Sequence, residues 1–359
     1  VPPDAERPDP VLVEAWRGPA VESWHRGAVA IADSHGRRVL ALGDIDRPVF
    51  PRSAVKLLQA LPLIASGAAD AYRLTDEELA LVCGSHQGEP QHVETASRML
   101  ARVGLDADVL ECGAHWPSDE ASARALAASG RTPLPLHNNC SGKHAGFVCL
   151  GCRLAGVGTA EARRAFLRGY VEADHPVMRE VRAALEAATG LALDQALVGR
   201  DGCSIPTYAI PLQALARAFA RVATGEGLVP THAAAAQRLR RAAARAPWMV
   251  AGSRRFDTRV MERLGERVCC KVGAEGVYCA ALPDRGLGVA IKVDDGTSAR
   301  ACEVVMAAVI EALVALDAGE RELLSSLSKV TLRNWRGFEV GRLVASDDLR
   351  EALSALPRG

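Results

Sequence analysis

Ser53-Ala54-Val55-Lys56 sets a hydroxyl and an amine three residues apart, at the expected start of a helix that follows a β-hairpin. Residues i and i+3 share one face of a helix. A serine hydroxyl needs a base to become a nucleophile at neutral pH. Lysine serves if burial, a helix N-terminus or a second ammonium draws its pKa far below the free value of about 10.4. The plain alternative is a capping serine beside a surface lysine. Two further segments weigh against that alternative. Ser85 follows Cys83-Gly84 at a helix end, and Lys271-Val272-Gly273 opens a C-terminal strand.

The order S-x-x-K, then a second serine, then a K-x-G strand is that of β-lactamases and penicillin-binding proteins. In such an arrangement Ser85 relays a proton to the leaving group and Lys271 polarises that hydroxyl. The N–H of Ser53 and one from the Lys271 strand would form an oxyanion hole, worth about 3–4 kcal/mol per donor. His86-Gln87 and Val272 depart from the S-D-N and K-T-G patterns and argue against a true β-lactamase.

A second cluster is His137-Asn-Asn-Cys140-Ser-Gly-Lys143-His144-Ala-Gly146, with a further thiol in Asp201-Gly-Cys203-Ser-Ile-Pro206. Gly142-Lys143 fails as a phosphate loop, since no glycine lies five residues before Gly142 and His144 replaces Ser/Thr. Cys140 and Cys203 could share one soft metal, most plausibly Zn²⁺; buried structural cysteines are the alternative. Cys149-x-x-Cys152 and Cys269-Cys270 read as core. His86-x-x-Glu89-x-x-His92 reads as a loop-to-helix junction with a capping Glu rather than as a metal site.

The 359-residue chain, at 49% hydrophobic and 24% charged, is globular rather than disordered. Its 43 basic and 43 acidic residues cancel, which argues against nucleic-acid or anionic-membrane partners. No run of about 18 apolar residues suggests a membrane span. The polar, Pro-rich start lacks the apolar core of a signal peptide. Ten cysteines without an export signal imply a reducing, cytoplasmic setting with mostly free thiols. Only five of the basic residues are lysines, at 56, 143, 271, 292 and 329, so each merits inspection.

The elements that would position these groups start with a polar lead-in over 1–18 and a hairpin over 20–44. A helix from Ser53 to Gly67 is kinked or shortened by Pro62. Thr75-Asp-Glu-Glu78 is a capping box. Helices follow at 91–103, at 119–129 with Ser118 as N-cap, and at 142–155, 176–189, 210–223 and 232–246, the last of these read as solvated. A second hairpin pairs 271–281 with 288–293. Residues 299–317 read as an apolar helix and 330–340 as a strand. The fold expected is α/β of the α+β type: a mostly antiparallel sheet from both chain ends, packed with helices and carrying an inserted helical lobe. The lobes would be 19–60 with 265–359, and 61–264.

Taken together, the blocks resemble the L-asparaginase II family of the Rhizobium etli type. They are Phe50-Pro-Arg-Ser53-Ala-Val-Lys56, Cys83-Gly-Ser-His86 through His92, Cys112-Gly-x-His115-x-Pro117, Asn138 to Gly146, Asp201 to Pro206, and Lys271-Val-Gly-Ala-Glu-Gly276. The resemblance implies hydrolysis of L-asparagine to L-aspartate and ammonia, on a serine β-lactamase-like and glutaminase-like fold, by a homodimer. It implies two Ser-Lys pairs, Ser53 with Lys56 and Ser85 with Lys271, and a zinc site of Cys140, Lys143 and Cys203 beside them. Arg52 is the candidate for the substrate carboxylate, Asp201 for its ammonium, and His144 for further contacts. Lys292 would lie close to the centre. Competing expectations are a glutaminase or penicillin-recognising serine hydrolase on the same scaffold, or a catalytically silent zinc- or amino-acid-binding module.

Overall fold

The structure, a computed structural model, describes residues 9–156 and 158–356. The chain divides into two compact units. The sheet unit comprises Val1–Ala54, Ile210–Thr224 and Cys270–Gly359, and the helical unit Val55–Ala209 and Gly225–Cys269.

The sheet is built from β1 (Val11–Arg17), β2 (Ala20–Asp33), β3 (Arg38–Leu42), β4 (Cys269–Val272), β5 (Val277–Leu282), β6 (Leu287–Val293), β7 (Lys329–Arg333) and β8 (Glu339–Ala345). Its order is β7-β8-β1-β2-β6-β5-β4, with β3 also pairing β2, and the β7-β8, β8-β1, β1-β2, β2-β3, β2-β6 and β6-β5 pairings are antiparallel. The two chain ends therefore meet in one sheet. Ala28 to Ala32 of β2 is wholly buried. That continuous apolar run fits a strand covered on both faces rather than one with a wet face.

The Leu212–Thr224 helix packs on β2, β5 and β6. Its backbone rests almost directly on β6, because a Cβ at Gly288 would lie 2.0 Å from Ala216 O and 2.2 Å from Ala220 N. Neither atom belongs to a movable side chain, so the helix would have to lift. Gly288→Ala is expected to cost about 3 kcal/mol, read as a lowered urea midpoint at unchanged slope. An unaltered midpoint would disprove this reading of the contact.

The helical unit centres on the Ser141–Ala155 helix, buried continuously from Ser141 to Cys152. Around it pack Asp76–Val82, Pro90–Arg102 and Pro176–Thr189. The Thr75/Glu78 capping box forms as expected. Leu61–Ala65 is a separate helix with Pro62 in its first turn, where the missing N–H costs nothing.

Several expectations need correction. The lead-in contains β1, whose Leu12, Val13 and Ala15 are buried. Asp119, not Ser118, caps Glu120–Ala128 by accepting from Ser122 N–H. The Pro230–Arg245 helix is not solvated all round; Ala235, Ala236, Leu239, Ala242 and Ala243 form a buried face. Residues 271–281 hold two strands, β4 and β5, split by the loop at 273–276. Residues 330–340 fold as the β7–β8 hairpin, turned by Asn334, whose Oδ1 accepts from the Arg336 and Phe338 N–H groups. The apolar helix stops at Leu313, and Ala318–Ser328 is a separate helix under its own capping box.

Among the described residues no helix is long and apolar enough to cross a membrane.

Candidate active site

In the sheet unit, Ser53 lies on a short 3₁₀ turn, Arg52–Val55, that runs on into the helix Lys56–Gln59. Arg52 adopts a left-handed φ of 51°. That conformation costs a non-glycine residue on the order of 1–2 kcal/mol. It follows Pro51, whose carbonyl would lie 2.7 Å from a Cβ at Gly273. A glycine in Lys271-Val-Gly273 thus lets the end of β4 close on the turn that carries Ser53. Lys271 is buried and its Nζ donates to Val272 O at 2.7 Å. Lys292 Nζ donates to Glu275 O and to Val293 O. It braces the loop after Lys271 through the Glu275 carbonyl.

In the helical unit, Lys56 is fully buried. Its Nζ donates to Gly84 O, the carbonyl just before Ser85, and to Asn139 O at 3.4 Å. Burial pulls its pKa down and the neighbouring Lys143 adds to this, against the pull of Cys140 and Cys203. That is the direction a lysine base requires. The Ser85 hydroxyl is buried with no protein partner. Its backbone N–H is tied to Val250 O at 2.7 Å, while His86 N–H reaches Asn139 O at 3.2 Å. The Asn139 carbonyl therefore serves both Lys56 and the Ser85 loop.

The thiols also converge. Lys143 Nζ stands 3.0 Å from Cys203 Sγ, and the Cys203 thiol is hydrogen-bonded to Cys140. That bond, with Lys56 and Lys143, holds Cys140 well below the usual thiol range despite burial. Cys203, as the donor, is pushed up. Burial opposes the Lys143 ammonium, but Cys203 and Cys140 more than offset this and raise its pKa. Cys203 sits in a turn framed by the ladder Val198–Arg200 with Pro206–Tyr208. Asp201 N–H binds Ile205 O at 2.8 Å, and Ser204 takes a φ of 78°. The Asp201 charge acts on both Lys143 and Cys203. Two thiols and one amine are thus gathered in a buried cluster, a donor set that suits Zn²⁺. No three His, Cys, Asp or Glu side chains gather this way among the described residues, so Lys143 would have to be the third ligand.

The remaining cysteine and histidine motifs are structural. All ten cysteines are buried and free of disulfides. Cys149 contacts Met99 O inside the helix core, and burial raises the Cys152 thiol to about 11. His86 and His92 stack at 4.8 Å and 13°, and His92 stacks on Trp248 at 4.0 Å and 8°. Glu89 does not cap its own helix; it accepts from Ser253 N–H and Oγ–H. Gly88 N–H donates to His86 Nδ1, so Nε2 carries the proton and donates to Ser141 Oγ at 2.9 Å.

Burial holds both imidazoles below their ordinary value, with His92 and Lys56 adding to the effect on His86. Unfolded histidines take up protons near pH 6.5 while these two stay neutral. The unfolded state then binds more protons, so stability is flat above about pH 6.5 and falls below it, by up to about 1.4 kcal/mol per pH unit for each histidine. Urea midpoints at pH 7.5 and 5.5 should show the fall, and His92→Gln should shrink it by one proton's worth. Equal midpoints at the two pH values would refute the assignment.

The sequence pattern did not reveal Tyr170 or the Asn139 carbonyl. Tyr170 is wholly buried and its hydroxyl meets His144 Nδ1 at 2.7 Å. A groove of about 920 Å³ in the sheet unit, lined among others by Glu14, Trp16, Glu311 and Arg342, contains none of the candidate residues.

Comparison with known proteins adds the lineage. Crystal structures of Mglu, one in its tris and glutamate form and one in its native form at 4.3 M NaCl, are similar at 16% and 14% identity, with TM-scores of 0.33 and 0.30. The alignments cover 81% and 77% of this chain but 60% and 58% of those chains, so the chain spans less than two thirds of their length. No curated protein matches it. The L-asparaginase II profile matches residues 13–345, a span that holds every candidate residue above, and the chain belongs to the L-asparaginase II family.

Proposed function

We propose that the protein is an amidohydrolase that converts L-asparagine to L-aspartate and ammonia through an acyl-enzyme. Ser53 attacks the side-chain amide carbon as Lys56 takes its proton. The tetrahedral centre collapses with loss of ammonia, which Ser85, polarised by Lys271, helps to protonate. Water, activated by the same lysine base, then splits the ester and releases aspartate. Arg52 receives the substrate carboxylate, Asp201 its ammonium, and His144 adds a hydrogen bond. The observation that carries this reading is Lys56: a fully buried lysine, its pKa lowered, hydrogen-bonded to the carbonyl before one candidate serine and three residues after the other.

Cys140, Lys143 and Cys203 would hold the zinc ion. A bound Zn²⁺ supplies a fixed positive charge that can orient a substrate oxygen or order the two turns. No step above depends on it. Cys140, the residue that precedes the Ser141–Ala155 helix, and Lys143 in its first turn would supply two ligands, and Cys203 from the Asp201–Pro206 turn, 3.0 Å from Lys143 Nζ, the third.

Mass spectrometry of the trapped acyl intermediate tests the assignment. An adduct on Ser53 in wild type and in Ser85→Ala is expected. An adduct on Ser85 would overturn it. Turnover of asparagine, glutamine and a chromogenic β-lactam, measured side by side, tests the substrate class; faster release from glutamine would move the reading to a glutaminase.

A further inference from the structure

His144 follows Lys143 on the Ser141–Ala155 helix and is fully buried. Its Nδ1 lies 2.7 Å from the Tyr170 hydroxyl, and that hydroxyl accepts from the Glu111 N–H at 3.0 Å. The Glu111 carboxylate in turn accepts from Gly169 N–H at 2.8 Å, which ties this loop to the residue before Tyr170. The Nε2 of His144 is buried and meets no protein partner. A doubly protonated ring would leave both the Tyr170 hydrogen and the Nε2–H unmet, so a single ring proton is the arrangement with fewer orphans. One nitrogen therefore carries a hydrogen and the other does not.

Counting hydrogens decides which. With the proton on Nδ1, the Tyr170 oxygen would accept twice and its own O–H would have nowhere to go. A bare Nε2 would then be a second unmet group. With Tyr170 donating to Nδ1, its oxygen still accepts from Glu111 and its hydrogen is used. One group remains over, the Nε2–H. Buried polar groups are paired wherever they can be, so the arrangement with fewer orphans is the favoured one.

We propose that Tyr170 is a positioning residue that locks His144 as the Nε2–H tautomer, leaving a neutral N–H donor for an acceptor oxygen of the amino-acid substrate. This rests on the reading of His144 as a substrate contact. The side chain that carries the device lies outside every motif of the sequence, and it acts through one hydroxyl.

Tyr170→Phe removes that hydroxyl and little else. Side-chain ¹⁵N shifts of His144 should show a single Nε2–H tautomer in the wild type and a loss of that single form in Tyr170→Phe. The KM for L-asparagine should rise about tenfold with kcat within about twofold, the pattern of a contact kept equally in ground and transition states. A glutamine at 144 offers an N–H near Nε2 without any tautomer. On the His144→Gln background, Tyr170→Phe should therefore change KM less than about twofold. A wild-type Nδ1–H tautomer would overturn the proposal even if the variant failed to fold, as would an equal KM rise on both backgrounds. An unchanged KM in His144→Ala would instead overturn the substrate contact, and the wild-type tautomer would then decide the part played by Tyr170.

Discussion

Ser53→Ala is expected to lower ammonia release from L-asparagine by at least about a thousandfold while the protein stays folded. A nucleophile and its base work as one unit, and removing either costs about 10⁴- to 10⁶-fold in serine hydrolases. Lys56→Met should therefore lose as much as Ser53→Ala, and the double variant should be no worse than either. The fold should tolerate the serine change, because Ser53 is only half-buried and caps no helix; substitutions of that kind usually stay within about 0.5 kcal/mol. Lys56→Met exchanges a buried amine for an apolar chain of similar length, so its circular dichroism must be checked beside its rate. Retention of a tenth of the activity in Ser53→Ala, with loss in Ser85→Ala, would transfer the nucleophile to Ser85.

The second large effect concerns metal. Wild type purified without chelator is expected to hold about one zinc per chain, and Cys203→Ala to bind zinc at least about a hundredfold more weakly. Losing even an outer partner of a ligand costs about 10- to 100-fold, and here a ligand itself is removed. Lys143 and Cys140 would be left with two donors in a site that takes three from the protein. Cys149→Ala is the control, since that thiol lies in the helix core against Met99 O and should leave zinc content unchanged. Chelator competition on the three proteins measures the effect. Equal affinity in wild type and Cys203→Ala would remove the site.

Much of the candidate site could be read from the chain because its chemistry needs rare residues. A lysine can lose its proton where a guanidinium cannot, so in an arginine-rich protein the five lysines stand out. Three of the five lysines, 56, 143 and 271, are buried at 0%, 1% and 3% exposure, a cost no packing argument would predict for that residue type. Lys292 is of the same type but has another task, for its ammonium is taken up by the Glu275 carbonyl of the loop beyond Lys271 and by Val293 O on its own strand. The motif loops share a backbone property that their letters hide. Arg52, Ser204 and Glu275, one in each of three motifs, are left-handed without being glycine. Tyr170 escaped notice because a single hydroxyl, distant in sequence, has no period or spacing to announce it.

The elements were legible where period and caps agreed, as in the Thr75 capping box and the continuous apolar Ser141–Ala155 helix. They failed where one residue changes the outcome. Asn334 folds a single apparent strand into the β7–β8 hairpin, and a polar, Pro-rich start hid β1, whose buried Leu12 and Val13 are neighbours and break the period of two.

The pairing of β2 with β6 has a consequence for how the protein is made. Ala30 sits opposite Ala290, and β1 waits still longer for Val344 and Ala345. During synthesis the first hairpin emerges with both flanking places empty and with Ala28 to Ala32 bare. At about 5–20 residues per second, its partner strand follows roughly 10–50 seconds later. The segment from Val55 to Ala209 is complete well before then, so the helical unit can begin to condense while the sheet is still without its centre. The nascent hairpin is thus an apolar edge held open on the ribosome, a target for chaperones and the first place where slowed or overloaded synthesis would turn into aggregation.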